Sequence, residues 1–145
     1  LLVNFDKDKI FSGMHKTIGL FLNNLIKIGL DKLINKKFLI FAGIGKFKHF
    51  LGDINNIGIE VDTFIEFPDH HDYTKDNLRV ILDIVKNKKL DGVITTQKDW
   101  VKIQNIISNF EQKDQFNFYI SRVGFEFLTH QDHINFFDLL RSRVK

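Results

Sequence analysis

Short apolar segments that alternate with longer helical patterns constrain the fold of this chain most strongly. Phe38 to Ala42 and Gly92 to Thr96 are almost wholly apolar and too short for buried helices. Such segments are typical of strands that are covered on both faces of a sheet. Because helical patterns follow both of them, the sequence predicts a three-layer α/β/α, Rossmann-like domain with a mainly parallel sheet.

The remaining elements follow from periodicity and from signals at helix ends. Ile59 to Ile65 alternates as a strand does, and Phe116 to Ile120 is a further predicted strand. Four helices are predicted: from about Lys46 to Asn56, from a Thr74 cap to about Lys88, over residues 98–108, and from a Thr129 cap to about Arg143. Since no linker, repeat or low-complexity segment interrupts residues 36–145, we expect them to form one α/β domain.

Residues 1–35 are a separate amino-terminal segment in which an amphipathic helix is predicted. Between Thr17 and Ile34 the apolar residues recur at helical intervals, at Ile18, Phe21, Leu22, Leu25, Ile26, Leu30 and Leu33. The apolar face of this helix would pack on the sheet, dock on a partner domain or lie in a membrane interface.

Composition excludes several classes of function. The chain has 145 residues and no cysteine, which excludes a disulfide scaffold, a thiolate zinc site and a cysteine nucleophile. Its net charge of +3 is far from the clustered positive field of nucleic-acid-binding proteins, so no nucleic-acid partner is expected. No apolar stretch reaches the roughly 18 residues of a spanning helix, and no signal-peptide pattern is present.

A glycine loop follows the first buried strand. Gly43-Ile44-Gly45 stands between a strand and a helix start, a placement that aims backbone amides at a phosphate. Lys48 occupies the position of the third glycine of a dinucleotide site, while Asp62 could serve as the ribose-binding acid. Dinucleotide binding, a turn required only for geometry, and an anion or partner contact are all compatible with it. The sequence contains neither Gly-x-x-x-x-Gly-Lys-Ser/Thr nor Gly-x-Ser-x-Gly.

The sequence Asp69-His70-His71-Asp72, after Pro68, is the densest group of reactive side chains. A carboxylate beside an imidazole suits proton transfer or charge stabilisation, and the same side chains suit divalent metals. Asp-His-His also names a family of metal-dependent phosphoesterases, although this sequence lacks the further aspartate motifs of that family.

A third polar loop, Thr95 to Asp99, follows the second buried strand. It offers two hydroxyls, an ammonium and a carboxylate, but Thr96 as a helix cap with Asp99 at the third helical position also accounts for the pattern. All three loops leave the carboxyl ends of strands, where ligands collect in parallel sheets. We therefore expect them to share one rim.

Together, Phe41 to Gly45, Phe67 to Thr74 and Thr95 to Lys102 resemble, in order and separation, the carboxyl-terminal half of the tetraacyldisaccharide 4'-kinase family. The resemblance covers about residues 36–104. It implies a P-loop-kinase-related fold and transfer of the ATP γ-phosphate to the 4'-hydroxyl of tetraacyldisaccharide 1-phosphate in lipid A biosynthesis. It also implies a Gram-negative cytoplasmic location, peripheral to the inner membrane.

The same resemblance implies roles for individual residues. His70 would be catalytic with Asp69 as its orienting neighbour, and no metal ligand is implied in this chain. Contacts to phosphate, sugar or the cleft are implied for His71, Lys98, Thr95, Thr96, Gly43 and Gly45. Gln97 departs from the glutamate usual in the family.

ATP and magnesium would be held mainly by an amino-terminal P-loop domain that this sequence does not contain. The chain alone is therefore expected to be inactive, as a fragment, half of a split enzyme or the product of a decayed gene. The alternative is a non-catalytic remnant or binding module of the same fold.

Overall fold

The computed structural model describes residues 13–111 and 113–143 and contains a six-stranded sheet. The strands are β1 (Gly13–Leu22), β2 (Ile26–Ile28), β3 (Lys37–Ala42), β4 (Glu60–Glu66), β5 (Gly92–Thr96) and β6 (Phe118–Phe127). Their order across the sheet is β2-β1-β6-β5-β3-β4. β3 pairs in parallel with β4 and β5, and β5 pairs in parallel with β6, whereas β1 and β2 are antiparallel.

Helices cover both faces of this sheet. The covering helices are α1 (Phe47–Asn56), α2 (Lys75–Lys88) and α3 (Gln97–Ser108), and a further helix, α4 (His130–Arg143), follows β6 in the chain. On one face, α2 and α3 pack against the side chains of Leu39, Phe41 and Val93. On the other, α1 packs against Phe38 and Ile40, which alternate with the first set along β3. The predicted three-layer α/β/α arrangement is therefore confirmed.

Sequence signals at helix ends are realised in the structure. The Thr74 hydroxyl accepts a hydrogen bond from the Asn77 amide, and the Asn77 side chain accepts one from the Thr74 amide, which forms a capping box. The hydroxyl of Thr129 accepts in the same way from the Asp132 amide. The elements predicted between residues 38 and 143 are confirmed in type, although β6 begins and ends later than the predicted strand at Phe116 to Ile120.

The predicted amphipathic helix between Thr17 and Ile34 is wrong. The structure has the β1–β2 hairpin there, followed by a 3-10 turn at Leu30–Leu33. Ile18 and Leu22 are four residues apart, a spacing that fits one helical turn and equally two strand repeats, and Ile26 pairs with Leu22 across the turn. The asparagine turn decides for the hairpin, because Asn23 and Asn24 both adopt positive φ, which asparagine tolerates better than most residues.

Side-chain contacts fasten the hairpin tip to β6. The Arg122 guanidinium lies 3.9 Å from the centroid of the Phe21 ring, and its Nε donates to the Asn24 side chain at 3.0 Å. The Asn23 amide donates to the Phe118 carbonyl at 2.8 Å. Since β1 and β2 extend the sheet that contains β3, no break in the sheet falls at residue 35.

Residue contacts divide the chain into two compact units. Thr17–Val123 is the first and contains the three-layer sandwich. The second includes α4, a helix that buries none of its described side chains. Among the residues that the structure describes, no helix has both the length and the apolar character required to cross a membrane.

Leu20 and Leu25 distinguish the hairpin from the helix that the sequence predicts. Leu20 lies off the predicted helical apolar face but is 0% exposed, whereas Leu25 lies on that face but is 82% exposed. We expect Leu20→Ala to lower the free energy of unfolding by about 2–5 kcal/mol and Leu25→Ala by less than about 0.5 kcal/mol. Urea unfolding measures both; the reverse ranking would contradict the hairpin.

Candidate functional site

The three polar segments meet at the carboxyl edge of the parallel strands, although the third, Thr95 to Asp99, is not a loop, because β5 ends at Thr96 and α3 begins at Gln97. The Phe67 amide donates to the Ala42 carbonyl at 2.9 Å, and the His70 amide donates to the Gly43 carbonyl at 3.2 Å. The Gly43 amide in turn donates to Oδ1 of Asp99 at 3.3 Å. These bonds join the loops after β3 and β4 to the start of α3, so the loops form the shared rim that the sequence predicts.

A buried carboxylate lies under this rim. Asp99 is 0% exposed, and its Oδ1 also accepts a hydrogen bond of 3.0 Å from the Tyr73 hydroxyl. Its Oδ2 accepts one of 2.6 Å from the Thr96 hydroxyl, whose oxygen accepts the Asp99 amide at 3.1 Å. The predicted cap is thus present, but the carboxylate also bonds to both neighbouring loops.

The phenol of Tyr73 is fixed as a hydrogen-bond donor. Burial raises the pKa of Tyr73, and the charge of Asp99 and the hydrogen bond to it raise this pKa further. The ring packs edge-on against Phe41 and Phe67, with centroids 5.6 Å and 5.1 Å apart. Tyr73 therefore stays neutral over the ordinary pH range and links the end of the second loop to Asp99.

His70 is presented to solvent above this buried layer. Its backbone has φ of 59°, in the left-handed region, and its side chain is 74% exposed. The Nε2 atom lies 3.7 Å from Oδ2 of Asp69, while the backbone amide of His70 donates to Oδ1 of the same carboxylate at 3.0 Å. Asp69 thus contacts both the ring and the main chain of its neighbour, and the imidazole remains accessible.

Asp69 also contacts the first turn of α3. Its Oδ1 lies 3.5 Å from the Lys98 ammonium. Partial desolvation by itself would raise the pKa of Asp69, but the charges of His70 and Lys98 and the hydrogen bonds from both lower it below its usual range. The rim therefore carries an ionised carboxylate between an imidazole and an ammonium.

His71 differs from His70 because its ring is packed. It stacks on Phe67 with centroids 4.5 Å apart, and its Nε2 lies 3.0 Å from the Asn77 side-chain oxygen. The His71 carbonyl accepts a hydrogen bond of 2.8 Å from the Lys102 ammonium. These contacts hold the loop to α2 and α3; the substrate contact predicted for His71 stays a prediction.

Both glycines of the first loop face the second loop closely. A Cβ on Gly43 would lie 3.0 Å from the Pro68 carbonyl oxygen and 3.2 Å from the Tyr73 hydroxyl. A Cβ on Gly45 would lie 3.3 Å from Oδ2 of Asp69. The tight approach at Gly43 supports the interpretation that this turn is required for geometry.

Thr95 and Thr96, the last two residues of β5, are buried. The Thr96 hydroxyl donates a hydrogen bond to Oδ2 of Asp99. Thr95 is 0% exposed, and its hydroxyl has no hydrogen-bond partner among the described residues. Substrate contact by Thr95, Thr96, Lys98, Gly43 and Gly45 stays a prediction. Of these residues, Lys98 and Gly45 are exposed at the rim.

Sequence reasoning missed the structural roles of Tyr73, Asn77, Asp99 and Lys102. For Asp99 the Thr-x-x-Asp spacing predicts only the helix cap, because it gives no sign of burial. The signal available for Tyr73 is its place immediately before the Thr74 cap, where a chain entering a helix often packs an apolar group.

The donor side chains do not form a metal centre. Within residues 13–111 and 113–143, no three His, Cys, Asp or Glu side chains are grouped so that they would hold a metal ion. A separate groove of about 420 Å³ lies between α2 and residues 109–116, and none of the rim residues lines it.

The fold is a three-layer α/β/α domain whose polar rim lies at the carboxyl edge of the parallel strands. The family model for Tetraacyldisaccharide-1-P 4'-kinase, LpxK, matches residues 8–144, so this chain belongs to that family. The matched range includes most of the segment before residue 36. The family differs from the phosphoesterases with which the sequence shares only Asp-His-His.

Individual relatives agree with this assignment. The tetraacyldisaccharide 4'-kinase of Syntrophus aciditrophicus is 33% identical over 95 residues, which cover 65% of this chain and 25% of that protein. The tetraacyldisaccharide 4'-kinase of Halothermothrix orenii is 38% identical over 73 residues, or 50% of this chain and 19% of that protein. This chain thus spans about a quarter or less of the length of these relatives.

A solved structure shares the fold. LpxK from Aquifex aeolicus, described as an "apo" form in complex with ATP, matches with a TM-score of 0.53 and 20% identity. The match covers 86% of this chain and 34% of that chain.

Gly43→Ala and Gly52→Ala form a matched pair that tests the close approach of the loops. A Cβ at position 43 meets the second loop, whereas one at position 52, inside α1, meets nothing within 4 Å. We expect the change at Gly43 to lower the free energy of unfolding by about 1–3 kcal/mol, and that at Gly52 to raise it by about 0.5–1 kcal/mol. Thermal and urea unfolding measure both. Equal effects would show that the loops are not in contact at Gly43.

Lys98→Gln tests the charge arrangement at the rim. Removal of the ammonium is expected to raise the pKa of Asp69 toward its ordinary value, as measured by NMR titration of the carboxyl carbon. Because the pKa of Asp69 is lower in the folded state, the carboxylate stabilises the fold above its unfolded pKa, and this contribution is lost as pH falls through the folded pKa. Lys48→Gln, on the exposed surface of α1, is the control; an identical Asp69 titration in both variants would contradict the ion pair.

Proposed function

We propose that this chain forms the part of a tetraacyldisaccharide 4'-kinase that activates the acceptor hydroxyl. The reaction transfers the γ-phosphate of ATP to the 4'-hydroxyl of tetraacyldisaccharide 1-phosphate, a lipid A precursor. Membership in the family supports the reaction class, and one observation carries the role of the chain. An exposed imidazole, His70, is held beside Asp69 on a rim built from two loops and the start of α3.

His70 has the geometry of a proton acceptor. Its ring is exposed, so a sugar hydroxyl can approach Nδ1, and the Asp69 carboxylate, 3.7 Å from Nε2, stabilises the charge that forms when the ring accepts a proton. Such stabilisation helps the hydroxyl to attack in line with the γ-phosphate. We assign catalytic roles to His70 and Asp69.

Lys98 is the rim residue best suited to contact a phosphate. Its ammonium is exposed and lies 3.5 Å from Asp69, so it reaches the edge of the rim without being committed to the interior. Phosphoryl transfer is catalysed mainly by positioning and charge stabilisation, which an ammonium at this edge supplies. Gly43 and Gly45 shape the adjoining turn.

ATP and magnesium are assigned mainly to other polypeptide, an amino-terminal P-loop kinase domain that would face the rim. The 145-residue sequence has no Gly-x-x-x-x-Gly-Lys-Ser/Thr motif, and the described residues offer no grouped metal ligands. ATP, when bound there, supplies the phosphoryl group. We infer that the chain alone is inactive and that the assembled enzyme works in the cytoplasm, peripheral to the inner membrane of a Gram-negative bacterium.

The second candidate is a non-catalytic binding module or remnant of the same fold. One observation favours this module: the His71 ring is packed, and Thr95 and Thr96 are buried, so these residues serve the fold and not a substrate. The exposed His70 favours the kinase, because a left-handed backbone conformation that presents a polar ring to solvent serves no packing purpose.

Phosphoryl transfer by two matched variants distinguishes the candidates. The chain is combined with the amino-terminal part of a tetraacyldisaccharide 4'-kinase that carries the phosphate-binding motif, and transfer of labelled phosphate to tetraacyldisaccharide 1-phosphate is measured. We expect activity only from the combination. His70→Ala should lower kcat by about 10²- to 10⁴-fold, since it removes the proton acceptor.

His49→Ala is the control, because His49 is an exposed histidine on α1 outside the rim. Rescue of a kinase-deficient strain by the same combinations gives a second readout. Full activity of His70→Ala would contradict the proposed role, and no activity from any combination would favour the binding module.

A further inference from the structure

The burial of Asp99 exceeds what its helix cap requires. The cap of α4 has the same Thr-x-x-Asp spacing as that of α3, and Thr129 bonds to Asp132 through the same two contacts, at 2.7 Å and 3.0 Å. Asp132 makes this cap at a partly exposed site, whereas Asp99 is 0% exposed. Burial of a carboxylate is costly, so Asp99 has a role that the cap alone does not explain.

The additional contacts of Asp99 go to the two loops that present His70. Its Oδ1 accepts from the Gly43 amide and from the Tyr73 hydroxyl, at 3.3 Å and 3.0 Å. The carbonyl of Gly43 accepts the His70 amide, and Tyr73 follows His70 by three residues. One oxygen atom therefore holds the segment that carries His70 from both sides.

We propose that Asp99 is a positioning residue for His70, acting through the Gly43 peptide and the Tyr73 hydroxyl without touching the imidazole. The role of Asp99 in catalysis rests on the kinase function proposed above. The left-handed conformation of His70 persists only where surrounding contacts determine it, and Asp99 supplies the buried anchor of those contacts. The neutral donors to Asp99 keep the anchor independent of the exposed ion pairs at the rim.

Asp99→Asn tests the anchor with little change in volume. The amide offers only one acceptor oxygen, so it does not satisfy the Gly43, Tyr73 and Thr96 donors together. In the variant chain we expect the backbone amides of Gly43 and His70 to exchange with solvent about tenfold faster or more, as measured by NMR hydrogen exchange. The increase in exchange rate at Gly43 and His70 must exceed the increase at the core amides of β3, because the core amides report overall stability.

Asp132→Asn is the matched control, because it removes the same kind of cap contact from α4. It should leave the exchange of the Gly43 and His70 amides unchanged. Tyr73→Phe is the second variant and is needed in either case, because the amide oxygen that Asp99→Asn introduces, if turned toward Gly43 and Tyr73, would still accept from both; it removes one donor and keeps the ring packing. It should shift the same two amides in the same direction.

Activity in the two-part assay supplies the catalytic readout. Asp99→Asn is expected to lower kcat about tenfold while the KM for ATP stays unchanged, since a misplaced imidazole affects the chemical step. Unchanged exchange at Gly43 and His70 in both variants, or a kcat equal to that of the unaltered chain, overturns the proposal. If the Gly43 and His70 amides exchange faster in the variants but no combination transfers phosphate, the positioning role of Asp99 is supported and the proposed function is contradicted.

Discussion

The hydrogen bonds of the buried Asp99 carboxylate are the interaction on which the rim depends. Parallel strands bring three polar segments to one edge, but the backbone hydrogen bonds from Phe67 to Ala42 and from His70 to Gly43 join only the first two of them and do not reach α3. Asp99 connects the Gly43 turn, Tyr73 and the start of α3 through a single side chain. Its charge is buried, and these donors compensate the cost of its desolvation.

The two aspartates of the rim lie in different surroundings, one buried and one exposed to solvent. Asp99 lies inside and bonds to neutral donors, whereas Asp69 lies outside between His70 and Lys98. Ion pairs at an exposed site are weak and sensitive to salt, so the outer pairs alone would not hold a loop in a strained conformation. The buried hydrogen bonds of Asp99 make the rim rigid, whereas the side chains of Asp69, His70 and Lys98 remain accessible.

The sequence was sufficient for the sandwich and for the meeting of the loops, since short apolar strands and capped helices determine both. It was insufficient where an apolar spacing fits both a helix and a strand, and where a contact joins residues that are far apart in the chain. The spacing of Ile18 and Leu22 fits a helix and a strand equally, and only the buried Leu20 and the turn at Asn23 and Asn24 resolve the choice. The link from Asp99 to Gly43 spans 56 residues, and no local pattern shows it.

The openness of the rim bears on how a kinase of this kind would be built. His70, Lys98 and Asp69 are all exposed, so water has access to each of them. Phosphoryl transfer in water favours hydrolysis over transfer to a sugar, and enzymes prevent this by closing the site. Under the proposed function, the part that binds ATP must therefore exclude water from His70 as well as supply the phosphate. The acceptor hydroxyl would then be activated only when both walls are in place.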